Sequence, residues 1–254
     1  MSDWLQKANE SCERGETFII ATIIRSSGST PREAGAKMLI FGDGSFHGTI
    51  GGGALEKSVL ESAHEFFKSQ ESKTLKYSLT LEEGHLCGGE LEVFFELVGN
   101  SPALYIFGAG HVGQALCHVM IETPFKVHLI DDREEWVLSP NLPKGIIKHH
   151  QTWNDFIKKN SWSSEKTYIA IMTPGHALDE VILQTVLKHD FKYLGLMGSK
   201  NKWTEIKSNL LKNGFSHGDI AKVNCPIGLS IGGKSPKEIA ISIAAELTEK
   251  YNAR

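Results

Sequence analysis

Residues 103–131 read ALYIFGAGHVGQALCHVMIETPFKVHLID, and this stretch decides the fold class. It opens with Leu104–Phe107, a short apolar run of strand-forming residues, and closes with a second apolar run, Val127–Ile130, followed by Asp131. Glycines in G-x-G-x-x-G spacing and a segment of helical apolar periodicity lie between the two runs. The order of strand, tight turn, helix, strand and acid is the pattern of a dinucleotide-binding βαβ unit. The stretch therefore predicts a Rossmann-type unit.

Each special residue of this pattern has a mechanical reason. Gly108 permits the tight turn, Gly110 lets a pyrophosphate approach the backbone, and Gly113 lets the helix pack closely on the strand. The helix N-terminus offers free N–H groups to an anion. Asp131 follows at the distance where an acid accepts hydrogen bonds from ribose hydroxyls. These four residues are predicted to bind a cofactor, although the fold alone does not establish that a nucleotide is bound.

The alternation of strands and helices continues to the C-terminus. Further strands are expected at 145–147, 168–172 and 193–197, and helices at 178–187, 202–213 and 236–249. Such alternation predicts a doubly wound parallel sheet. We therefore expect a Rossmann-like domain over residues 101–254.

The first hundred residues have a different pattern. Strands are expected at 18–24, 37–41, around His47, at 73–80 and at 91–97, with helices at 2–13 and 54–67. Asn100-Ser101-Pro102 is a natural boundary. The prediction is an α+β domain over residues 1–100, followed by the Rossmann-like domain.

Composition narrows the function classes. The 254 residues are 41% hydrophobic with a net charge of −3, which gives no basic footprint for nucleic acid. Neither a secretory leader nor an apolar run of membrane-spanning length is found. The four cysteines are scattered without a C-x-x-C pair, which fits a reducing cytosol. We expect a cytoplasmic protein that binds neither nucleic acid nor membrane.

Three features of the N-terminal half are candidates for binding. Gly51, Gly52 and Gly53 enter a helix and suit a phosphate cradle, or else a tight strand–helix connection. Cys87 precedes two glycines, so its thiolate could ligate a soft metal; the alternative is a small buried hydrophobe. Arg32 lies in a Gly/Ser/Pro loop and is either an anion ligand or a solvated side chain.

Two features follow strands of the second half. Thr173-Pro174-Gly175-His176 leaves a strand at the ligand-bearing edge of an open α/β sheet, where His176 could orient a ligand or carry a proton. Asp179 either takes part in such a site or caps a helix, and Ser199 is expected to cap the next helix. No H-E-x-x-H motif is present and no Ser/His/Asp arrangement stands in a nucleophile elbow, so the sequence does not favour a hydrolase.

Taken in order, these pieces resemble the xanthine dehydrogenase accessory protein family (XdhC/CoxI). The resemblance covers nearly the whole chain, and the more specific segments are GTIGGGALE at 48–56 and PIGLSIGGKSPKEIAISIAAEL at 226–247. The segments ATIIRSSGSTPREAGAKMLI, CGGELEVFFE, FGAGHVG and YLGLMGSKNK also contribute.

The resemblance implies a carrier and insertion chaperone rather than a turnover enzyme. It implies binding of molybdenum cofactor, a molybdopterin whose phosphate suits Gly51–Gly53 and Arg32 and whose metal suits Cys87. The implied partners are a sulfurating cysteine desulfurase and apo xanthine dehydrogenase or a related molybdenum hydroxylase, and we expect a homodimer.

Two departures and two alternatives accompany this hypothesis. Some relatives carry cysteine where this chain has Ala54, and relatives often carry Thr-His-x-His where this chain has Thr173-Pro174-Gly175-His176. The alternatives are an NAD(P)-dependent oxidoreductase and a nucleotide-sensing scaffold, each with NAD(P) or another nucleotide in the Rossmann cleft. In the first, Asp131 favours NAD over NADP because an acid repels a 2′-phosphate.

Overall fold

Two sheets of different construction organise the chain in the computed structural model, which describes residues 3–14, 16–69, 71–79, 88–99, 101–160 and 162–253. The contacts divide the chain into an N-terminal unit, Met1–Asn100, and a C-terminal unit, Ser101–Arg254. Each unit has its own sheet and its own apolar core.

In its described residues, the N-terminal unit is an antiparallel sheet with two helices. Its elements are α1 (Asp3–Glu13), β1 (Phe18–Ser27), β2 (Lys37–Phe41), β3 (Phe46–Gly48), α2 (Gly53–Ser69), β4 (Lys73–Ser78) and β5 (Glu90–Val98). The strand order is β3-β2-β1-β5-β4, and every neighbouring pair is antiparallel.

Alternation along β1 explains how both faces of this sheet are covered. Ile19, Ala21 and Ile23 point to the face covered by α2, whose Leu55 joins the same core. Phe18 points to the opposite face and packs with residues of α1. Because successive side chains of a strand alternate between faces, a strand that is apolar on both faces needs a helix on each.

The C-terminal unit alternates strands and helices. Its elements are β6 (Ala103–Phe107), α3 (His111–Met120), β7 (Lys126–Asp131), α4 (Glu134–Val137), β8 (Ile147–His150), α5 (Trp153–Lys159), β9 (Thr167–Ile171), α6 (His176–Val186), β10 (Tyr193–Leu196), α7 (Lys200–Lys212), α8 (His217–Ala221), β11 (Val223–Asn224) and α9 (Pro236–Asn252).

The six strands form a parallel sheet in the order β11-β10-β9-β6-β7-β8. Numbered within the unit, this is 3-2-1-4-5-6 read from the other edge, the strand order of the Rossmann fold. Helices α3 and α9 cover the face of Leu104 and Ile106, while α5 and α6 cover the face of Tyr105 and Phe107. The predicted fold class is confirmed.

The structure differs from the sequence prediction at short elements. The third parallel strand is Ile147–His150, not 145–147, because Gly145 lies in a turn with φ of +95°. Helices α4, α5 and α8 were not predicted, since each has seven residues or fewer and thus shows little periodicity. Local caps define two of them: the Thr152 hydroxyl accepts from Asp155 N at α5, and Ser216 forms a capping box at α8.

A histidine pair lies on adjacent strands of the parallel sheet. His128 Nδ1 lies 2.9 Å from His149 Nε2, and the rings contact Tyr105 and Phe156. Burial, with the nearby charges of His149 and Lys126, lowers the pKa of His128 to about 3, and burial also lowers the pKa of His149. Both imidazoles are therefore neutral in the folded protein at neutral pH.

We expect acid to destabilise the C-terminal unit through this pair. A histidine whose folded pKa lies below its unfolded value contributes stability above pH 6.5, and this is lost as the pH falls toward 3. For His128 the free energy of unfolding should fall by about 1.4 kcal/mol per pH unit in this window. Urea unfolding at a series of pH values from about 7.5 down to about 5 measures the slope. The variant His128→Phe should show a shallower slope; an unchanged slope would contradict the assignment.

Candidate functional site

The C-terminal unit carries a cleft where its strand order reverses, between β6 and β9. Ligands of open α/β sheets bind at this switch point, beside the carboxyl ends of the strands. The cleft contains a cavity of about 200 Å³. Its wall is formed by the ends of β6, β7 and β9 and by apolar side chains of α5 and α6; the latter are Trp153, Leu178 and Ile182.

The three predicted glycines have three different environments. Gly108 has φ of +116°, and a methyl group there would lie 2.5 Å from the Met172 carbonyl oxygen. A methyl group on Gly113 would lie 2.0 Å from the Gly108 carbonyl oxygen. Apart from Gly110 and its two chain neighbours, the described residues place no atom within 4 Å of a methyl group on Gly110. Gly108 and Gly113 are thus required by packing, whereas Gly110 faces open space.

The N-terminus of α3 opens at this point. Gly110 is its N-cap residue, and no side chain caps the helix. In the described part of the chain, no acceptor takes a hydrogen bond from the amides of Gly110, His111 or Val112. Free amides at a helix N-terminus attract anions.

Asp131, the predicted ribose ligand, is occupied by protein donors. Oδ1 accepts from the backbone N and Nε of Arg133 at 3.0 and 2.8 Å, and Oδ2 accepts from Ala109 N and Arg133 Nη2, both at 2.7 Å. Burial opposes ionisation, but these hydrogen bonds outweigh it and lower the pKa of Asp131. The Asp131 carboxylate thereby connects the turn at residues 108–110 to the end of β7.

Three polar side chains, those of Arg133, His111 and Gln114, contact Trp136 at this end of the cleft. The guanidinium carbon of Arg133 lies 5.3 Å from the Trp136 ring centroid, and the His111 ring meets the same indole edge-on at 5.0 Å. Gln114 Nε2 donates to the Trp136 carbonyl oxygen at 3.1 Å. Arg133 is thereby held at the wall of the cavity.

The loop after β9 is fixed by a buried ion pair. Asp179 Oδ1 accepts from Thr173 N and Oγ1 at 2.9 and 2.6 Å, and Asp179 Oδ2 accepts from Lys202 Nζ at 2.7 Å. The Asp179 and Lys202 side chains are 1% and 11% exposed. Asp179 does not cap α6, whose N-cap residue, Gly175, has no side-chain cap. Instead, Asp179 joins the loops that follow β9 and β10.

His176 and Ser199 both lie at the starts of helices, at α6 and α7 respectively. His176 is the exposed first residue of α6 and is not among the described residues that line the cavity. The hydroxyl of Ser199 accepts from Lys202 N at 3.2 Å, which confirms it as the N-cap of α7.

Three loops of the N-terminal unit converge near the start of α2. A methyl group on Gly51 would lie 2.4 Å from Pro31 Cγ, and one on Gly89 would lie 2.4 Å from the Ser29 carbonyl oxygen. A methyl group on Gly28 would lie 3.1 Å from Gly89 Cα. Residues 27–31, 50–53 and 88–89, the motif loops, thus meet in close contact. Cys87 lies outside the described residues.

The loop of residues 50–53 already donates hydrogen bonds to a carboxylate of the protein, that of Glu56. Glu56 Oε1 accepts from Ile50 N at 3.2 Å, from Gly52 N at 2.9 Å and from the Thr49 hydroxyl. Gly51 N donates to Thr49 Oγ1 at 3.2 Å. The amides of Gly53 and Ala54, at the start of α2, donate to no acceptor in the described residues. Arg32 is exposed in the adjoining loop.

Sequence reasoning assigned no role in the site to the residues that pair with the predicted ones. Glu56, Arg133 and Lys202 each complete a hydrogen-bonded group around a predicted residue. The local spacing offers a hint for Arg133 alone, because an Asp two residues before an Arg can form a short-range pair.

The described residues contain no cluster of three or more metal-ligating side chains. Nor is any helix among them long and apolar enough to cross a bilayer.

Comparison with known proteins matches both units. A family model described as "XdhC Rossmann domain" matches residues 104–247, and one described as "XdhC and CoxI family" matches residues 11–78. The chain is 30% identical over 246 residues to the uncharacterized protein YqeB of Escherichia coli (strain K12), covering 94% of this chain and 44% of that protein.

Two further relatives carry a functional description. Over 157 residues the chain is 26% identical to a protein of Bacillus subtilis (strain 168) described as a probable subunit of xanthine dehydrogenase, covering 62% of this chain and 45% of that protein. The chain thus spans less than half the length of these curated relatives. A crystal structure described as a xanthine dehydrogenase from Bacillus halodurans superposes with a TM-score of 0.52 at 24% identity, covering 100% and 97% of the two chains, and supports the fold alone.

Proposed function

The chain belongs to the XdhC and CoxI family, and from this premise we propose that it is an accessory protein of a molybdenum hydroxylase. It binds molybdenum cofactor as cargo, protects it, presents it to a cysteine desulfurase for sulfuration and delivers it to apo xanthine dehydrogenase or a related enzyme. We further propose that the protein acts as a cytoplasmic homodimer and is not itself a turnover enzyme.

The observation that carries this proposal is the convergence of the three motif loops in the N-terminal unit. Residues distant in sequence come together where the chain has two open amides, Gly53 and Ala54, and an exposed guanidinium, Arg32. These are donors for a phosphate group. Glu56 accepts from Ile50 N and Gly52 N, and Gly51 N donates to Thr49, so the proposed phosphate site lies at the start of α2 rather than along Gly51 and Gly52.

Cys87 supplies the proposed contact to the metal. It directly precedes Gly88, whose carbonyl oxygen would lie 3.2 Å from a methyl group on Gly28. Thiolates are preferred ligands of soft metal centres and acceptors of sulfur. A thiolate ligand of the metal, together with donors for the phosphate, would hold two different parts of the cofactor.

We expect Cys87→Ala to lower cofactor retention about tenfold or more, because even the loss of a residue supporting a metal ligand costs about 10–100-fold. The protein is loaded with molybdenum cofactor, passed through gel filtration and analysed for bound molybdenum. Cys12→Ala is the matched control, since Cys12 is an exposed cysteine of α1. Equal retention by wild type and Cys87→Ala, with both variants folded by circular dichroism, would remove Cys87 from the site.

A second candidate function is supported by the cleft of the C-terminal unit. The cavity, the open side of Gly110 and the free α3 amides suit a nucleotide. The described residues that form the cavity wall include no histidine, lysine, tyrosine or cysteine side chain that could act as a general acid. A nucleotide that is bound or sensed is therefore better supported than hydride transfer to a carbonyl substrate, which needs a proton donor.

A further inference from the structure

The acceptor capacity of Asp131 is used up inside the protein. A carboxylate offers about four acceptor positions. Arg133 fills three of them and Ala109 N the fourth, at distances between 2.7 and 3.0 Å. A ribose hydroxyl that donates to Asp131 would have to displace one of these donors.

Arg133 is held too firmly to be displaced easily. Its guanidinium makes a bidentate contact to a carboxylate that is 5% exposed, and it lies over the Trp136 ring at 5.3 Å from the centroid. Bidentate pairs between a guanidinium and a carboxylate are strong and geometrically specific. Removing Arg133 from Asp131 would leave a buried charge unpaired.

The rest of the cleft remains available to a ligand. Trp153, Leu178 and Ile182 give the cavity an apolar wall for a planar base. Gly110 leaves open space beside the first amides of α3, and free amides at a helix N-terminus attract the phosphates of a nucleotide. Base and phosphates therefore have binding surfaces, whereas the ribose hydroxyls do not have their usual acceptor.

We infer that the cleft binds a nucleoside diphosphate through its base and its phosphates and does not recognise the ribose 2′-hydroxyl. This inference rests on the second candidate function, a nucleotide site in the C-terminal unit. In this cleft Asp131 positions Arg133 and the turn at residues 108–110, and it does not bind the sugar.

The test compares ADP with 2′-deoxy-ADP by isothermal titration calorimetry on the full chain. Wild-type dissociation constants should agree within about twofold, because no hydrogen bond to the 2′-hydroxyl is lost. Arg133→Ala frees two acceptor positions on Asp131, so this variant should prefer ADP on the order of tenfold, as a hydrogen bond to a charged group implies. Adding Asp131→Asn to Arg133→Ala should reduce the preference again.

The outcomes separate the inference from its premise. Wild-type binding of both nucleotides with equal affinity supports the inference even where the variants fail to fold. Wild-type preference for ADP of about tenfold or more overturns the inference and leaves the nucleotide site standing. If neither nucleotide binds at millimolar concentration, the second candidate function fails and the inference fails with it.

Discussion

Replacing Asp179 with alanine is expected to lower the free energy of unfolding of the C-terminal unit by about 3–5 kcal/mol, the cost of removing one partner of a buried ion pair. Lys202, 11% exposed, would be left without a carboxylate beside it. The amide and the hydroxyl of Thr173 would also lose their acceptor. Few substitutions on the surface approach this size.

The effect should reach the cleft, because Asp179 connects two of its loops. Lys202 also donates to the Met197 carbonyl oxygen at 3.1 Å, so the ion pair fastens the segment after β10 to the loop after β9. Urea unfolding followed by tryptophan fluorescence measures the loss of stability. Nucleotide binding, tested with ADP, should weaken in the same variant because Thr173 lines the cavity.

A double variant provides the control. Asp179→Leu combined with Lys202→Met replaces the pair with apolar groups, and such replacement of a buried pair is often neutral or stabilising. Part of the loss should therefore be recovered, with the hydrogen bonds of Thr173 still missing. A cost below about 1 kcal/mol for Asp179→Ala alone would contradict the interpretation, since that is the size expected of a solvent-screened surface pair.

The βαβ unit was predictable from sequence because its constraints are local. Strand periodicity, glycine spacing and the acid after β7 lie within 103–131. Each constraint follows from contacts across a few residues, such as a Cβ on Gly113 meeting the Gly108 carbonyl. The alternation of further strands and helices then leads to the parallel sheet, since parallel strands need crossover connections.

The site was less predictable because its residues are paired over longer distances. The sequence favoured Asp131 as a ribose ligand, yet the folded chain brings Ala109 N to Oδ2 of its carboxylate. Asp179 and Lys202 lie in different helices, and no periodicity relates them. Glu56 was unremarkable as the fourth residue of a helix, but it accepts from Gly52 N, one of the amides that a phosphate was expected to take. A polar residue type can thus be identified from sequence, whereas the partner that uses its hydrogen-bonding capacity cannot.

Gly113→Ala is the second substitution with a large expected effect, a loss of about 3 kcal/mol, at the upper end of what overpacking typically costs. The new methyl group would lie 2.0 Å from the Gly108 carbonyl oxygen, so backbone must move. Two effects compete here, because alanine in a helix is favoured over glycine by about 1 kcal/mol. The clash outweighs this gain because the atom it meets belongs to the backbone. Urea unfolding of the full chain measures the net effect.

Gly110→Ala is the matched control within the same motif. Gly110 has φ of −65°, which alanine adopts freely, and a methyl group there meets no described atom within 4 Å. Because alanine is a poorer N-cap than glycine, stability should fall by less than about 1 kcal/mol. ADP affinity should nevertheless drop on the order of tenfold, since the methyl group enters the space proposed for the diphosphate. Equal stability losses in the two variants would show that the glycine spacing serves the fold throughout; a loss of affinity confined to Gly110→Ala would mean that the open side of Gly110 belongs to the ligand.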